Sequence, residues 1–265
     1  MLSDELGAGL MPSSLFDLSG KIAIVTGASR GIGAAATVAL AEAGADIVAC
    51  SRTPDVLKQV VVEVQKLGRN ALCVQCDVSN RAQIQNAVRE AIREFGKIDI
   101  LVNSAGTIVR KPSVEWTEEE WAQVMDLNLK GTFFFCQEVA KEMIARNQGG
   151  KIINVASLLS AIGVPNIIGY ASSKGGVASL TRSLAAEWAK DRINVNAVGP
   201  GYIRTELTQA LQNDADRSSY IVSRIPLGRW GQPADLEGAM VFLASKASDY
   251  VTGQIIWVDG GWTAT

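Results

Sequence analysis

"KIAIVTGASRGIGAAATVALAEAG", residues 21–44, decides the fold. It opens with an apolar, β-branched run of strand length. A turn carrying Gly27, Gly31 and Gly33 follows, and then a stretch with the Ala-rich composition of a helix. A strand that turns through glycines into a helix brings free backbone N–H groups and the positive end of a helix dipole to one point, which suits a pyrophosphate. The next β-branched run, "ADIVAC", begins at residue 45, the spacing of a strand–helix–strand unit.

The same alternation continues along the chain. "NALCVQ", "IDILVN", "KIINVAS", "INVNAVG" and "IIWVDG" supply five further strands, separated by segments with helical spacing such as "TRSLAAEWAKD". Seven near-continuous apolar strands alternating with helices predict an α/β, single-domain Rossmann fold: a doubly wound seven-stranded parallel sheet with helices on both faces. Residues 1–16 read as a flexible N-terminal arm and 17–265 as one catalytic domain. The long interruption between Gly199 and Gly231 holds its own helical stretch, "RTELTQALQ", and predicts a substrate lid near 204–225.

Composition excludes several chemistries. The chain has no histidine, so a Ser-His-Asp triad, a histidine base and histidine-ligated zinc are impossible. Cys73 and Cys76 form a C-x-x-C, but on a strand residues three apart point to opposite faces, which argues against a redox or metal pair. A net charge of -2 gives no general attraction to nucleic acid or anionic lipid, and no apolar run spans a bilayer. We therefore expect a cytoplasmic protein with neither nucleic-acid nor membrane partners.

The second strand ends in Ser51 and Arg52, with no carboxylate to accept from a ribose 2′-hydroxyl, and Arg30 projects from the glycine turn towards the same region. Two guanidinium groups there point to NADP(H). Farther on, Tyr170 and Lys174 lie four apart, on one helical face. A tyrosine hydroxyl has a pKa of about 10, and a neighbouring ammonium is expected to lower it into the range useful for proton transfer.

Taken together, T-G-x-x-x-G-x-G at 26–33, "NSAG" at 103–106, Asn128 in "LNLKG", Ser157, Tyr170 with Lys174, and "GPGYIRT" at 199–205 resemble the short-chain dehydrogenase/reductase family over residues 17–262. The resemblance implies a catalytic tetrad of Asn128, Ser157, Tyr170 and Lys174. It implies NADP(H) contacts from Gly27, Ser29, Arg30, Gly31, Ile32, Gly33, Ser51, Arg52, Asp77, Val78, Asn103, Ala105, Gly106, Lys174, Pro200, Gly201, Ile203 and Thr205, with no metal. Ser104 departs from the family's second Asn in N-N-A-G. The implied reaction interconverts a ketone and a secondary alcohol by hydride transfer. Ser157 polarises the carbonyl, Tyr170 serves as general acid/base, Lys174 tunes it, and Asn128 anchors a relay water.

The substrate is less legible. "GYIRTELTQAL", "GRWGQPADL" and "FLASKASDYVTG" resemble the sugar-acid dehydrogenase branch that includes gluconate 5-dehydrogenase, and Arg110 and Lys111 are candidates for a substrate carboxylate. "CSRT" is similar to the tropinone-reductase branch, and the apolar "LLSAIGVPNIIG" suits a small hydrophobic ketone. A 3-oxoacyl thioester reductase and a catalytically silent NADP(H)-binding sensor or scaffold are the alternatives. Pairing through helices near 117–146 and 169–190, with Phe133, Phe134, Phe135 and Leu184 at the contact, would give a homotetramer or homodimer.

Overall fold

The computed structural model describes residues 12–265. Seven parallel strands form one sheet in the order β3-β2-β1-β4-β5-β6-β7. They are β1 (Ile22–Thr26), β2 (Asp46–Ser51), β3 (Ala71–Gln75), β4 (Ile100–Asn103), β5 (Gly150–Val155), β6 (Ile193–Pro200) and β7 (Ile255–Val258). The helices are α1 (Pro12–Leu15), α2 (Gly31–Glu42), α3 (Pro54–Lys66), α4 (Arg81–Phe95), α5 (Glu118–Met125), α6 (Gly131–Arg146), α7 (Ile168–Trp188), α8 (Gln209–Asn213), α9 (Ala215–Arg224) and α10 (Glu237–Ala244). The strand order reverses between β1 and β4, so the crevice for a ligand opens at the carboxyl ends of those two strands. Most of the expected arm lies outside the described residues; Pro12–Leu15 form a helical turn.

Period-2 alternation with both faces covered explains the continuous apolar runs. In β1, Ile22 and Ile24 join the core beneath α4, α6 and α7, whereas Ala23 and Val25 join the core beneath α2, α3 and α10. Local signals fix the helix ends. Asn80 caps α4 by accepting from the N–H groups of Ala82 and Gln83, and Gly96, at φ 72°, ends it. Thr117 and Glu120 close a capping box on α5.

Between α5 and α6 the chain does not break: Asp126–Lys130 form a π-helical turn, so 118–146 run as one helix with a bulge at Asn128. This helix lies so close to α7 that a Cβ on Gly176 would come within 2.6 Å of Leu129. Phe135 and Leu184 are buried core residues and not surface contacts, because their faces of α6 and α7 meet the sheet. Cys73 is exposed and Cys76 buried, on opposite sides as the strand period requires. Among the described residues no helix is long and apolar enough to cross a membrane.

The glycine turn is a steric necessity. Gly27 stands at φ +64°, with the space for its missing Cβ filled by Ala105 backbone at 2.9 Å, and a Cβ on Gly33 would lie 2.2 Å from the Gly27 carbonyl oxygen. Because backbone cannot yield as a flexible side chain does, Gly33→Ala should destabilise the protein by about 2 kcal/mol. For a chain of this size that corresponds to a fall in Tm of roughly 5 °C, read by thermal unfolding.

Candidate active site

The carboxyl ends of β1, β2, β4 and β5 open into a groove of about 440 Å³. Of the sequence-expected cofactor contacts, Gly27, Ser29, Arg30, Gly31, Ile32, Gly33, Ser51, Arg52, Asp77, Val78, Ala105, Gly106, Lys174 and Thr205 line it, and Tyr170 stands at its inner end. Four do not. The amide of Asn103 donates beneath the floor to Asn154 at 2.9 Å and to Cys136. Pro200 ends β6, Gly201 is packed on Asp259, and Ile203 pairs with Gly231 on the far side of its loop.

The walls also include Ser104 of the NSAG motif and residues that motif reading missed. Thr53, Val56, Cys76, Leu127, Val155, Glu206 and Leu207 reach the groove because strand ends and the lid fold back over it. No local pattern signals these seven. Thr26 builds the inner wall: its hydroxyl accepts the N–H groups of Ser104 and Ala105 at 3.1 and 3.2 Å, tying the end of β1 to the loop after β4.

Arg30 is not free: its guanidinium is paired with the carboxylate of Glu206 across the groove, both exposed. Arg52 is exposed and close enough to Asp77 to favour its ionised form. Ser51 donates to Ser29 at 3.2 Å. The glycine cradle, two arginines and a run of hydroxyls make a donor-rich channel with room for close backbone approach, which fits a phosphorylated dinucleotide.

At the inner end, α7 is anchored before it presents its chemistry. Asn154 of β5 accepts from Asn103 and donates to Thr181 of α7 at 3.0 Å, a buried ladder across two strands and a helix. Ser160, just past β5, donates to the Lys174 carbonyl at 2.7 Å. A Cβ on Gly169 would lie 2.5 Å from the Trp116 ring, so the indole packs directly on the start of α7.

Tyr170 and Lys174 project from one face as their spacing requires, but their electrostatics differ from expectation. The Lys174 amine is buried and donates to the Val155 carbonyl at 2.6 Å, and burial pulls its pKa down to about 8. Burial raises the pKa of Tyr170, and a hydrogen bond with Ser157 and the charge of Arg110 oppose that rise. Arg110 is thus one cation whose charge reaches the phenol, and Lys174 stands 5.7 Å from the tyrosine ring centre while its amine donates to the strand.

Asn128 is buried and fully engaged. Its side-chain oxygen accepts from Thr107 N–H at 2.8 Å, and its amide donates to the Thr107 carbonyl and to Ser173. Ser173 in turn donates to the Tyr170 carbonyl at 2.7 Å. Arg110, after β4, is exposed and donates to the Leu207 carbonyl at 2.9 Å, whereas Lys111 is taken by both oxygens of Glu120.

In the window from pH 8 to about 10.5 the unfolded chain holds a proton on residue 174 that the folded chain has lost. Stability contributed by this site therefore rises with pH there. Relative to Lys174→Met, the parent should gain Tm between pH 8 and 10, measured as paired melts in one buffer series.

A family model described as enoyl-(acyl carrier protein) reductase matches residues 27–263. A 2-dehydro-3-deoxy-D-gluconate 5-dehydrogenase of Dickeya dadantii is 49% identical over 249 residues, 94% of this chain and 98% of that protein. A 5-keto-D-gluconate 5-reductase of Escherichia coli is 39% identical over 94% of this chain and 98% of its own length. Among solved structures, a gluconate 5-dehydrogenase from Burkholderia cenocepacia, in complex with NADP and tartrate, superposes with a TM-score of 0.93 at 42% identity, covering 96% of this chain and all of that one. The glycine cradle, the Ser157–Tyr170–Lys174 cluster and these matches have one explanation: the chain belongs to the short-chain dehydrogenase/reductase family.

Proposed function

We propose that this protein is an NADP(H)-dependent oxidoreductase that interconverts the keto and hydroxy forms of a sugar acid. The observation that carries the reading is Arg110, a cation held at the site by the Leu207 carbonyl and with no carboxylate partner among the described residues, whose charge reaches the phenol of Tyr170. A small hydrophobic ketone gives such a cation nothing to bind. A sugar acid places its carboxylate there while its carbonyl meets Ser157 and Tyr170. The relatives named as acting on gluconate derivatives support the same substrate class.

NADP(H) is held by the glycine turn and by Ser29, Ser51 and Arg52, with Arg30 available once it exchanges Glu206 for a phosphate. When bound it supplies or accepts the hydride. The rest of the chemistry belongs to the chain. Ser157 donates to the substrate oxygen, and in the reductive direction Tyr170, kept protonated by burial, transfers its proton to that oxygen as the negative charge develops.

Lys174 stands one helical turn away with a pKa of about 8, near enough to neutrality to replace that proton. With both amide N–H groups and the side-chain oxygen engaged, Asn128 braces the loop at Thr107 and the start of α7. Its oxygens, each with a second lone pair, are the atoms that could hold a relay water.

The four cysteines are unpaired, which supports a reducing, cytoplasmic setting. Trp121 and Ile144 lie exposed on the 118–146 helix and support a homodimer or homotetramer packed through it and α7.

Loss of NADPH absorbance at 340 nm with 5-ketogluconate tests the reading, and no turnover of any keto sugar acid by the parent would overturn it. Tyr170→Phe should lower kcat by at least 10³-fold with NADPH affinity within about threefold of the parent. Arg110→Gln should raise KM for the sugar acid by ten- to a hundredfold, since a charge-assisted contact is lost, while Lys111→Gln leaves it within twofold.

A further inference from the structure

We infer that Glu206 is a specificity-determining residue for the cofactor: its carboxylate competes with the 2′-phosphate for Arg30, and so lowers the affinity for NADP(H) while leaving that for NAD(H) unchanged. The inference rests on the NADP(H) reading above and gives a role to a carboxylate that stands in a channel of phosphate-binding groups. Arg30 lies immediately before α2, between Ser29 and Gly31, and all three line the groove. Its guanidinium reaches the Glu206 carboxylate on the facing bank. Among the described residues neither side chain makes any other hydrogen bond or ion pair.

The lid holds Glu206 at this place. A Cβ on Gly31 would come within 3.2 Å of the Thr205 methyl, so the two banks touch beside the ion pair. Thr205 N–H donates to the Thr208 hydroxyl at 3.1 Å, that hydroxyl donates to the Ile203 carbonyl at 2.7 Å, and Gln212 donates to the Thr205 carbonyl at 3.0 Å. These bonds fix the backbone one residue before Glu206. On the other bank the Ser51 hydroxyl donates to Ser29, the neighbour of Arg30, and Arg52 follows. Two hydroxyls and a guanidinium without a carboxylate form the end of the groove suited to a 2′-phosphate.

A guanidinium that faces one anion is only partly available to a second. To reach the phosphate, Arg30 must leave Glu206, and the abandoned carboxylate then stays within a few ångströms of a dianion of like sign. NADH carries a hydroxyl in that place and makes no claim on Arg30, so the pair survives its binding. Because both partners are exposed, the penalty is a severalfold loss of affinity and not a block. Glu206 therefore narrows the preference for NADP(H) that Ser51, Arg52 and Arg30 create.

The test is Glu206→Gln, which keeps the size of the side chain and removes its charge. Dissociation constants for NADPH and NADH are measured by titration calorimetry, without substrate, on the parent, Glu206→Gln, Arg30→Gln and the double variant. At low salt Glu206→Gln should bind NADPH about fivefold more tightly, with NADH within about twofold of the parent. In about 0.5 M salt the gain should fall below about twofold. Added to Arg30→Gln, the same substitution should change NADPH affinity by less than about twofold. An unchanged or weaker NADPH affinity in Glu206→Gln, an equal gain for NADH, or a gain that survives the loss of Arg30 would overturn the inference while the NADP(H) reading stands. A parent that binds NADH more tightly than NADPH would remove both.

Discussion

The site depends on a lysine ammonium taken almost wholly out of water. Moving the Lys174 pKa from 10.5 to about 8 corresponds to about 3 kcal/mol of lost preference for the charged form, a sizeable share of the stability of a single domain. Such a group persists only if its surroundings hold it in place. Here the restraint is backbone and helix: the Val155 carbonyl receives the amine, Ser160 fixes the Lys174 carbonyl, and the Asn103–Asn154–Thr181 ladder pins α7 to β4 and β5. The same restraints fix Tyr170 one turn earlier. Strain accepted for one residue orients two.

Electrostatics in the chamber divide into two roles that the sequence suggested were one. The i,i+4 spacing of Tyr170 and Lys174 was sufficient to place them on one face, and it led to the expectation that the amine tunes the phenol. The structure separates them. Lys174 has lost much of its charge preference to burial, and the long arm of Arg110 brings a permanent charge from another loop. Arginine suits this role because its guanidinium does not give up its proton, whereas the buried lysine can. The arrangement leaves Lys174 able to give up a proton near neutrality.

The fold was legible because both faces of the sheet are buried. The central strands are apolar on both faces and the connections carry helices, so they stand in the sequence as apolar runs, and the glycine turn announced the crevice by its spacing. Residues that act through local pattern, such as Gly27, Gly33, Tyr170 and Lys174, were legible for the same reason. Residues that act through long-range closure were not. Glu206 comes 176 positions after its partner Arg30, Leu207 receives Arg110 from another loop, and Tyr202 meets Trp262 through the folding back of the chain end. No period or cap in the sequence encodes those meetings. Asn103 illustrates the converse: its motif position was right, but its side chain serves the ladder under the floor and not the groove.

The lid joins these two kinds of residue. Its first turn is held from opposite banks, by Arg30 through Glu206 and by Arg110 through the Leu207 carbonyl, so one short segment contacts both the cofactor channel and the substrate chamber. Each contact uses a cation that an incoming anion also wants. The Arg30–Glu206 pair is exposed on both sides and contributes at most about 1 kcal/mol. A phosphate with two negative charges therefore outcompetes a single solvated carboxylate for that arginine. Arg110 needs no such exchange, because one N–H group serves Leu207 and the rest of its fork remains for a carboxylate. The same segment is therefore tied to a cation on each side, one at the cofactor channel and one at the substrate chamber.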